Sequence, residues 1–149
     1  MPNSIVKAAC GLLILSIVIV GLAGCSNEMA KPDYADEIAE TALQTMNECD
    51  YEAHMGLYSP EVQEAITEDI FNLSCQQIKA VIGDYIDKEY VETSDYNGYV
   101  LVQYKANFSE EPEGVTISVY FEEIDGEIYI AGFALDSPKL RESLATTGE

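Results

Sequence analysis

The chain has few basic residues and no tryptophan. Only 7 lysines and arginines stand against 27 aspartates and glutamates in 149 residues, so the formal net charge is −20. A surface this acidic repels phosphate backbones and anionic lipid head groups, which excludes nucleic acid as a partner. Two interpretations of the charge stay open. It could attract calcium or a cation-rich partner, or it could form a solvated surface that keeps the domain soluble.

Patterns typical of metal sites are also missing. The segment "DYNG" at 95–98 lacks the third oxygen ligand and the later glutamate of a calcium loop. The cysteines do not form the paired sets that bind zinc. We therefore predict no metal and no cofactor. A cluster of acidic residues is interpreted as a solvated strand edge and comprises Asp84, Asp87, Glu89 and Glu92.

The one long apolar run lies near the N-terminus, from Ala8 to Ala23, and follows the single charge of Lys7. It is marginal for crossing a bilayer, which takes about 20 residues, and it ends in small residues as cleavage sites do. The segment Leu22-Ala23-Gly24-Cys25 resembles the bacterial lipobox. This resemblance implies cleavage before Cys25 and attachment of a lipid to its thiol. An uncleaved anchor or an ordinary secretory signal is the alternative.

This interpretation divides the chain into four parts. Residues 1–24 are a lipoprotein signal peptide and 25–32 a lipidated tether. Residues 33–141 form a single α+β domain, and 142–149 are a flexible C-terminal tail. We expect the domain to lie in the cell envelope on the extracytoplasmic side, held to the membrane by the lipid, since two or three acyl chains anchor a protein firmly.

The first half of the domain carries helical signals. Apolar residues recur at helical spacing between Ala35 and Met46, with acidic residues in the first turn. Asp50 can cap a short second helix that runs to about Tyr58. Three or four helices are predicted in all. The remaining start and stop signals are Ser59-Pro60, Thr67 and Gly83.

After Gly83 the apolar period changes from that of a helix to that of a strand. The pair Asp125-Gly126 is a strong signal for a two-residue hairpin. Helices followed by an antiparallel meander predict an α+β fold in which the helices cover one face of a curved sheet. The predicted strands are Ile86–Thr93, Tyr99–Phe108, Val115–Ile124 and Ile128–Leu135.

Three strings in this order resemble a family of prokaryotic extracytoplasmic domains, the domain of unknown function 3887 type, in the nuclear-transport-factor-2-like superfamily. They are "ALQTMNECDYEAHMGLYSPEVQEAIT", "IGDYIDKEY" and "AGFALDSPKLR". The family's "GDY" appears here as Cys49-Asp50-Tyr51, so its glycine is absent. The resemblance implies a cone-shaped α+β domain of the nuclear-transport-factor-2-like or cystatin-like kind, with a pocket between helices and sheet. It implies no activity.

His54 is the only histidine of the chain. Dehydratases of the superfamily use a histidine with an aspartate as a general base, and His54 could act in this way. The alternative is a surface or helix-packing residue. No partner is identifiable from spacing, so we expect His54→Ala to change stability by no more than ~0.5 kcal/mol.

Isomerase chemistry would need an aspartate base with a tyrosine and a protonated acid. Tyrosine is plentiful, but the residue also suits half-buried strand positions. No acid can be assigned to a pocket by spacing, and no catalytic residue is proposed. The strand tyrosines considered are Tyr90, Tyr99, Tyr104, Tyr120 and Tyr129.

Cys49 and Cys75 remain as a pair, since Cys10 leaves with the signal peptide and Cys25 carries lipid. They lie on helices that should pack together, so they could form a disulfide in an oxidising compartment. Two buried, reduced thiols are the alternative, because Cys75 lies on an apolar stripe.

The leading functional hypothesis is a lipid-anchored, non-enzymatic module that binds an unidentified protein or small molecule. A small pocket enzyme of isomerase or dehydratase type and a passive acidic surface protein are the alternatives. Whether the protein forms a homodimer is left open by the sequence.

Overall fold

The computed structural model describes residues 29–146, in which four helices precede four strands and a last helix. The helices are α1 (Ala35–Glu48), α2 (Tyr51–Met55), α3 (Pro60–Ala65), α4 (Glu68–Ile82) and α5 (Pro138–Thr146). The strands are β1 (Tyr85–Tyr96), β2 (Tyr99–Phe108), β3 (Glu111–Ile124) and β4 (Glu127–Asp136). This order confirms the predicted α+β class, with helices first and then an antiparallel sheet.

The segment before the domain falls outside the description. The predicted signal peptide, Cys25 and the first part of the tether all precede residue 29. Within 29–146, no helix combines the length and apolarity that a bilayer crossing requires.

The predicted helix caps lie where the sequence signals indicated. The Asp50 carboxylate accepts a hydrogen bond from the Ala53 amide at 3.1 Å, and Thr67 caps α4 through the Ile70 amide at 3.4 Å. Gly83 ends α4 with a φ of 81°, a left-handed conformation that glycine adopts without strain. The side chains of Asp50 and Thr67 thus bond to backbone amides that the first turn of a helix leaves without a partner.

Helix α2 ends at Met55, three residues before the predicted end near Tyr58. The backbone beyond it pairs with β4 instead. The Ser59 amide donates to the Ile130 carbonyl at 3.1 Å, and the Ile130 amide donates to the Leu57 carbonyl at 2.9 Å. We call residues 57–59 the β4 bridge. Tertiary pairing therefore replaces the last helical turn that local propensity favoured.

The sheet is a meander in the order β1-β2-β3-β4, with all neighbours antiparallel. Asp125 and Gly126 both have positive φ, 55° and 85°, as a tight hairpin of the predicted kind requires. Strands β1 and β3 are longer than predicted, and β3 begins at Glu111 rather than Val115. The pairing of Glu111 with Phe108 explains this extension.

The core lies between α1 and the inner face of the sheet. Ala35, Ala39 and Ala42 are fully buried along one side of α1, so small side chains let the helix approach the strands closely. Opposite them stand buried residues of β2 and β3, including Val119 and Phe121. The Tyr34 ring meets Phe121 edge to face, with centroids 5.3 Å apart.

Helix α5 corrects the predicted flexible tail for residues 142–146, because the helix continues through Thr146. Residues 147–149 of that tail lie outside the described residues. Its start is well capped: the Leu140 amide donates to Ser137 Oγ at 3.0 Å, and Pro138 occupies the first helical position. The buried carboxylate of Glu111 accepts from the Lys139 amide at 3.3 Å. Ser137-Pro138 is a helix-start signal from which no helix was predicted.

Candidate functional site

A cavity of about 180 Å³ opens between α2, α4 and β4. We call it the inner pocket. Its wall is mainly aliphatic and aromatic, with His54 and Tyr58 among its polar side chains. The lining residues are Met46, His54, Tyr58, Ile66, Ile70, Phe71, Ser74, Cys75, Ile78, Phe133 and Leu135.

His54 is held inside this wall by two hydrogen bonds. Its Nδ1 lies 3.0 Å from Thr45 Oγ1, and its Nε2 lies 3.0 Å from the Tyr58 hydroxyl. The Phe71 ring stacks on the imidazole with centroids 4.8 Å apart. Only 5% of His54 is exposed. The interpretation as a helix-packing residue is right, and that as a surface residue is wrong.

The direction of these hydrogen bonds follows from Thr45. Its hydroxyl has one proton and lies 2.8 Å from the Thr41 carbonyl and 3.2 Å from that of Ala42, which can only accept. Thr45 Oγ1 therefore accepts from His54 Nδ1–H. This tautomer leaves Nε2 without a proton, so the Tyr58 hydroxyl donates to it.

The pair is neutral near pH 7. Burial lowers the pKa of His54 from 6.5 to about 4, and the nearby Ala42 carbonyl opposes this shift only in part. Burial likewise raises the pKa of Tyr58 above its ordinary value. The inner pocket thus presents an uncharged imidazole and an uncharged phenol to anything inside it.

The structure contradicts the expectation that His54 lacks partners. Truncation to alanine would remove two buried hydrogen bonds and leave a cavity, so the structure predicts a loss of stability larger than ~0.5 kcal/mol. Thr45 and Tyr58 are the residues that the sequence analysis missed. Tyr58 stands four residues after His54, a spacing that could have indicated the pair if the region had been recognised as buried.

Among residues 29–146, no aspartate or glutamate lines the inner pocket, and none of the five strand tyrosines does. Tyr104 is buried on the inner face of β2 in a different place, against α1. The acid and base that isomerase or dehydratase chemistry would use are therefore not brought together here with His54.

A second group of polar residues ties the start of α1 to β1 and β2. We call it the ionic cluster. It comprises Lys31, Asp36, Glu40, Tyr85, Lys88 and Tyr104. Glu40 accepts hydrogen bonds from Lys88 Nζ and the Tyr85 hydroxyl, both at 2.8 Å. Lys31 pairs with Asp36.

The charges of this cluster shift the ionisation of its members. Burial opposes ionisation of Asp36 and Glu40, but hydrogen bonds from Lys31 to Asp36 and from Lys88 to Glu40 outweigh it and lower both pKa values. Burial and then the Asp36 charge raise the pKa of Tyr104. The Tyr104 hydroxyl has no partner in good hydrogen-bond geometry within residues 29–146, and Lys88 Nζ lies 5.1 Å from the ring centroid.

Cys49 and Cys75 form a disulfide in the structure, with Cα atoms 5.9 Å apart. Cys49 ends α1 in the left-handed conformation, and Cys75 lies in the middle of α4 on the pocket wall. The bond therefore joins the helix that carries the core alanines to the helix that closes the pocket.

The four acidic residues proposed as a solvated strand edge are all exposed, just before β1 or along its first eight residues. The part of the chain that the structure describes contains no group of three or more His, Cys, Asp or Glu side chains placed to hold a metal ion. The cluster therefore offers no geometry on which a metal hypothesis could be built.

Comparison with known families adds one result. The family model described as "Protein of unknown function (DUF3887)" matches residues 39–133. The chain belongs to this family. The DUF3887 match includes His54, Tyr58 and Phe133 of the inner pocket, whereas Leu135 and α5 lie beyond it. Neither the curated proteins nor the solved structures contain a significant match to this chain.

Proposed function

We propose that this protein is a lipid-anchored, extracytoplasmic domain that binds a small uncharged ligand in the inner pocket and does not convert it. The proposal has two parts, the localisation of the protein and its activity. The localisation depends on Leu22-Ala23-Gly24-Cys25 at the end of the apolar run. The activity depends on the chemistry of the pocket wall.

The observation that carries the binding hypothesis is the neutral, fully hydrogen-bonded His54 in an otherwise mostly apolar pocket. Ligand sites typically combine an apolar wall with a few fixed polar groups, and this wall has that composition. The pocket of about 180 Å³ is smaller than most drug-sized sites, so the ligand portion that it holds is small.

The same observation argues against the enzyme alternative. A general base works best with a pKa near the working pH, whereas the pKa of His54 is about 4. Both ring nitrogens already have partners, and no carboxylate lines the pocket. A passive acidic coat protein would need no pocket, and the exposed Ile70 and Leu73 on α4 also argue against it.

We also propose that the fold is the nuclear-transport-factor-2-like cone. Helices that cover one face of a four-stranded antiparallel sheet, with a pocket between the two layers, support this assignment. An experimental structure that superposes on members of that superfamily over both layers would test it. Sedimentation of the purified protein would test whether it forms a homodimer.

The binding hypothesis can be tested by filling the pocket. Ser74 lies on its rim, so Ser74→Phe should occupy the cavity, while Gln76→Phe adds the same ring to an exposed position of α4 away from it. Calorimetric titration with butanol, a small neutral probe, should show binding to the wild type and to Gln76→Phe but not to Ser74→Phe. Equal binding by all three proteins would overturn the hypothesis.

The lipid anchor can be tested by mass spectrometry of the mature N-terminus. We expect an acylated Cys25 as the first residue. An oxidising compartment would also suit the disulfide between Cys49 and Cys75. An unmodified Cys25, or a mature protein that still contains Lys7, would refute the lipid anchor without affecting the binding test.

A further inference from the structure

A second apolar cavity lies next to the inner pocket. This cavity, which we call the α5 groove, has a volume of about 310 Å³ and lies between α4, β4 and α5. Leu135 lines both cavities, so its side chain is their common wall. The α5 groove is lined by Gln77, Ala80, Val81, Leu135, Leu140 and Leu144, among others.

The two cavities follow one side of α4. Ile70, Ser74 and Ile78 line the inner pocket, and Gln77 and Val81 continue along the helix into the α5 groove. These positions recur at helical spacing and belong to one stripe. At 1.5 Å per residue, the distance from Ile70 to Val81 is roughly 17 Å along the helix axis. The combined site is therefore long and narrow.

Within residues 29–146, the lining of the inner pocket and the α5 groove includes no charged side chain, although the chain as a whole has a net charge of −20. Lys139 and Glu142 line a further cavity that adjoins the α5 groove at Val81. A charged ligand group would lose its hydration in the inner pocket or the α5 groove without gaining a counter-ion, which is strongly unfavourable. An anionic ligand would also meet repulsion from the acidic surface. Charge complementarity thus favours an uncharged ligand.

Two polar groups of the inner pocket, Tyr58 in its wall and Ser74 on its rim, restrict the ligand further. The Tyr58 hydroxyl donates its proton to His54, and Ser74 Oγ donates to the Ile70 carbonyl at 2.9 Å. Each hydroxyl has one proton, so toward a ligand both oxygens can only accept. The matching ligand group is a hydrogen-bond donor such as an alcohol or an amide N–H.

We propose that the site binds a single-chain, uncharged amphiphile, with its hydroxyl or amide end at Tyr58 and its hydrocarbon chain along α4 toward α5. The proposal rests on the proposed function, because it names the ligand class of the same pocket. We infer the elongated shape of the ligand from the shared Leu135 and the stripe on α4. We infer its hydrogen-bond-donating head group from the accepting oxygens of Tyr58 and Ser74.

A series of primary n-alkanols from butanol to dodecanol tests the shape, with dissociation constants measured by calorimetry on the purified protein. Each added methylene that enters the groove should tighten binding about fourfold, which corresponds to ~0.8 kcal/mol, until the groove is full. If the wild type binds butanol but longer alcohols gain nothing, the elongated site is refuted while the inner-pocket function stands. If no alcohol binds, both fail.

A matched pair of charge variants tests where the hydrocarbon chain of the ligand lies. Ala80 is exposed and lines the α5 groove, whereas Gln76 is exposed on the same helix outside both cavities. Ala80→Glu should remove the gain for the longer alcohols and leave butanol binding unchanged, and Gln76→Glu should behave as wild type throughout. Circular dichroism would verify that both variants fold. An unchanged series in Ala80→Glu would overturn the proposed path.

The head group is tested with decanol and decanoate at pH 7. The anion should bind at least tenfold more weakly, since the site offers acceptors and no cation. Equal or tighter binding of decanoate would refute the uncharged class even if the chain-length series succeeds.

Discussion

The two flanks of the sheet are built from different chemistry. On the β1 flank, the ionic cluster joins α1 to the strands through lysine, carboxylate and tyrosine groups. On the β4 flank, α4 and α5 meet the sheet through aliphatic and aromatic side chains, and two cavities remain between them. Charged contacts thus occur on one side, and uncharged surfaces with free volume on the other.

The two flanks differ in what their polar groups do: one set holds the fold together, and the other remains available to a ligand. In the ionic cluster, lysines and carboxylates neutralise each other, so its charged groups are used up in holding α1. On the β4 flank, His54 and Tyr58 are also hydrogen-bonded, but the Tyr58 oxygen still faces a cavity with accepting capacity. Perturbed ionisation occurs on both flanks, and only free volume distinguishes the candidate site.

The largest effect is expected from breaking the disulfide that braces the β4 flank. Cys49→Ala/Cys75→Ala opens a loop closed across a sequence separation of 26 residues. In the chain-entropy model this loss is ~3.5 kcal/mol of unfolding free energy. Denaturant titration of the variant, with the wild type treated with reductant as a second sample, measures it. Equal stability of oxidised wild type and variant would contradict the brace.

A slightly smaller loss should follow from His54→Ala, at ~3 kcal/mol, because it removes two buried hydrogen bonds and ring packing against Phe71. Glu52→Ala serves as the control, since Glu52 is exposed on the same short helix. The control should stay within ~0.5 kcal/mol of wild type. Similar denaturation midpoints for the two variants would argue that His54 packs loosely.

Lowering the pH should destabilise the two flanks in different pH ranges. The pKa of His54 is about 4 in the folded protein and 6.5 when unfolded, so the unfolded chain binds the extra proton between these values. Its contribution is fully present above pH 6.5 and is lost as the pH falls to about 4, by up to ~3 kcal/mol. His54→Gln should flatten the unfolding free energy in this window.

The carboxylates of the ionic cluster act at lower pH. Their folded pKa values are lowered, so their contribution is lost as the pH falls from their ordinary range through these lowered values. A wild-type profile that is flat between pH 6.5 and 4 would contradict the burial of a neutral His54. Loss of stability confined to the region below this window would assign acid sensitivity to Asp36 and Glu40 alone.

The smallest effect concerns the β1 flank itself. Lys88→Met removes a lysine that is 10% exposed and leaves Glu40 without its ion pair, for which we expect ~1.5 kcal/mol. Arg141→Ala is the control, because Arg141 and Asp136 are both more than half exposed. The control should lose less than ~0.5 kcal/mol. Equal losses would place the ionic cluster among ordinary surface pairs.

The fold was largely predictable because its signals are local. The caps at Asp50 and Thr67, the stop at Gly83 and the hairpin at Asp125-Gly126 depend on neighbouring residues only. The end of α2 was not predictable in this way, since it depends on pairing with a strand some 70 residues later in the chain. The length of α5 depends similarly on the remote Glu111.

The candidate site was less predictable for the same reason. The sequence gives no sign that Thr45 would face His54 from another helix, because this contact requires the packing angle of α1 and α2. The pairing of Cys49 with Cys75 could be raised as an option but not chosen by residue type alone. Apolar stripes indicate burial, whereas cavities between them depend on side-chain volumes and helix positions.

The β4 bridge determines how the wall of the inner pocket at Tyr58 can open. Two backbone hydrogen bonds, from Ser59 to Ile130 and from Ile130 to Leu57, hold the segment that contains Tyr58 against the sheet. Breaking them would swing Tyr58 outward while the meander stays intact, which makes this segment a unit of local opening. Amide hydrogen exchange at Ser59 would then report the free energy of that opening, and an occupant in contact with Tyr58 would slow it without altering exchange in the central strands.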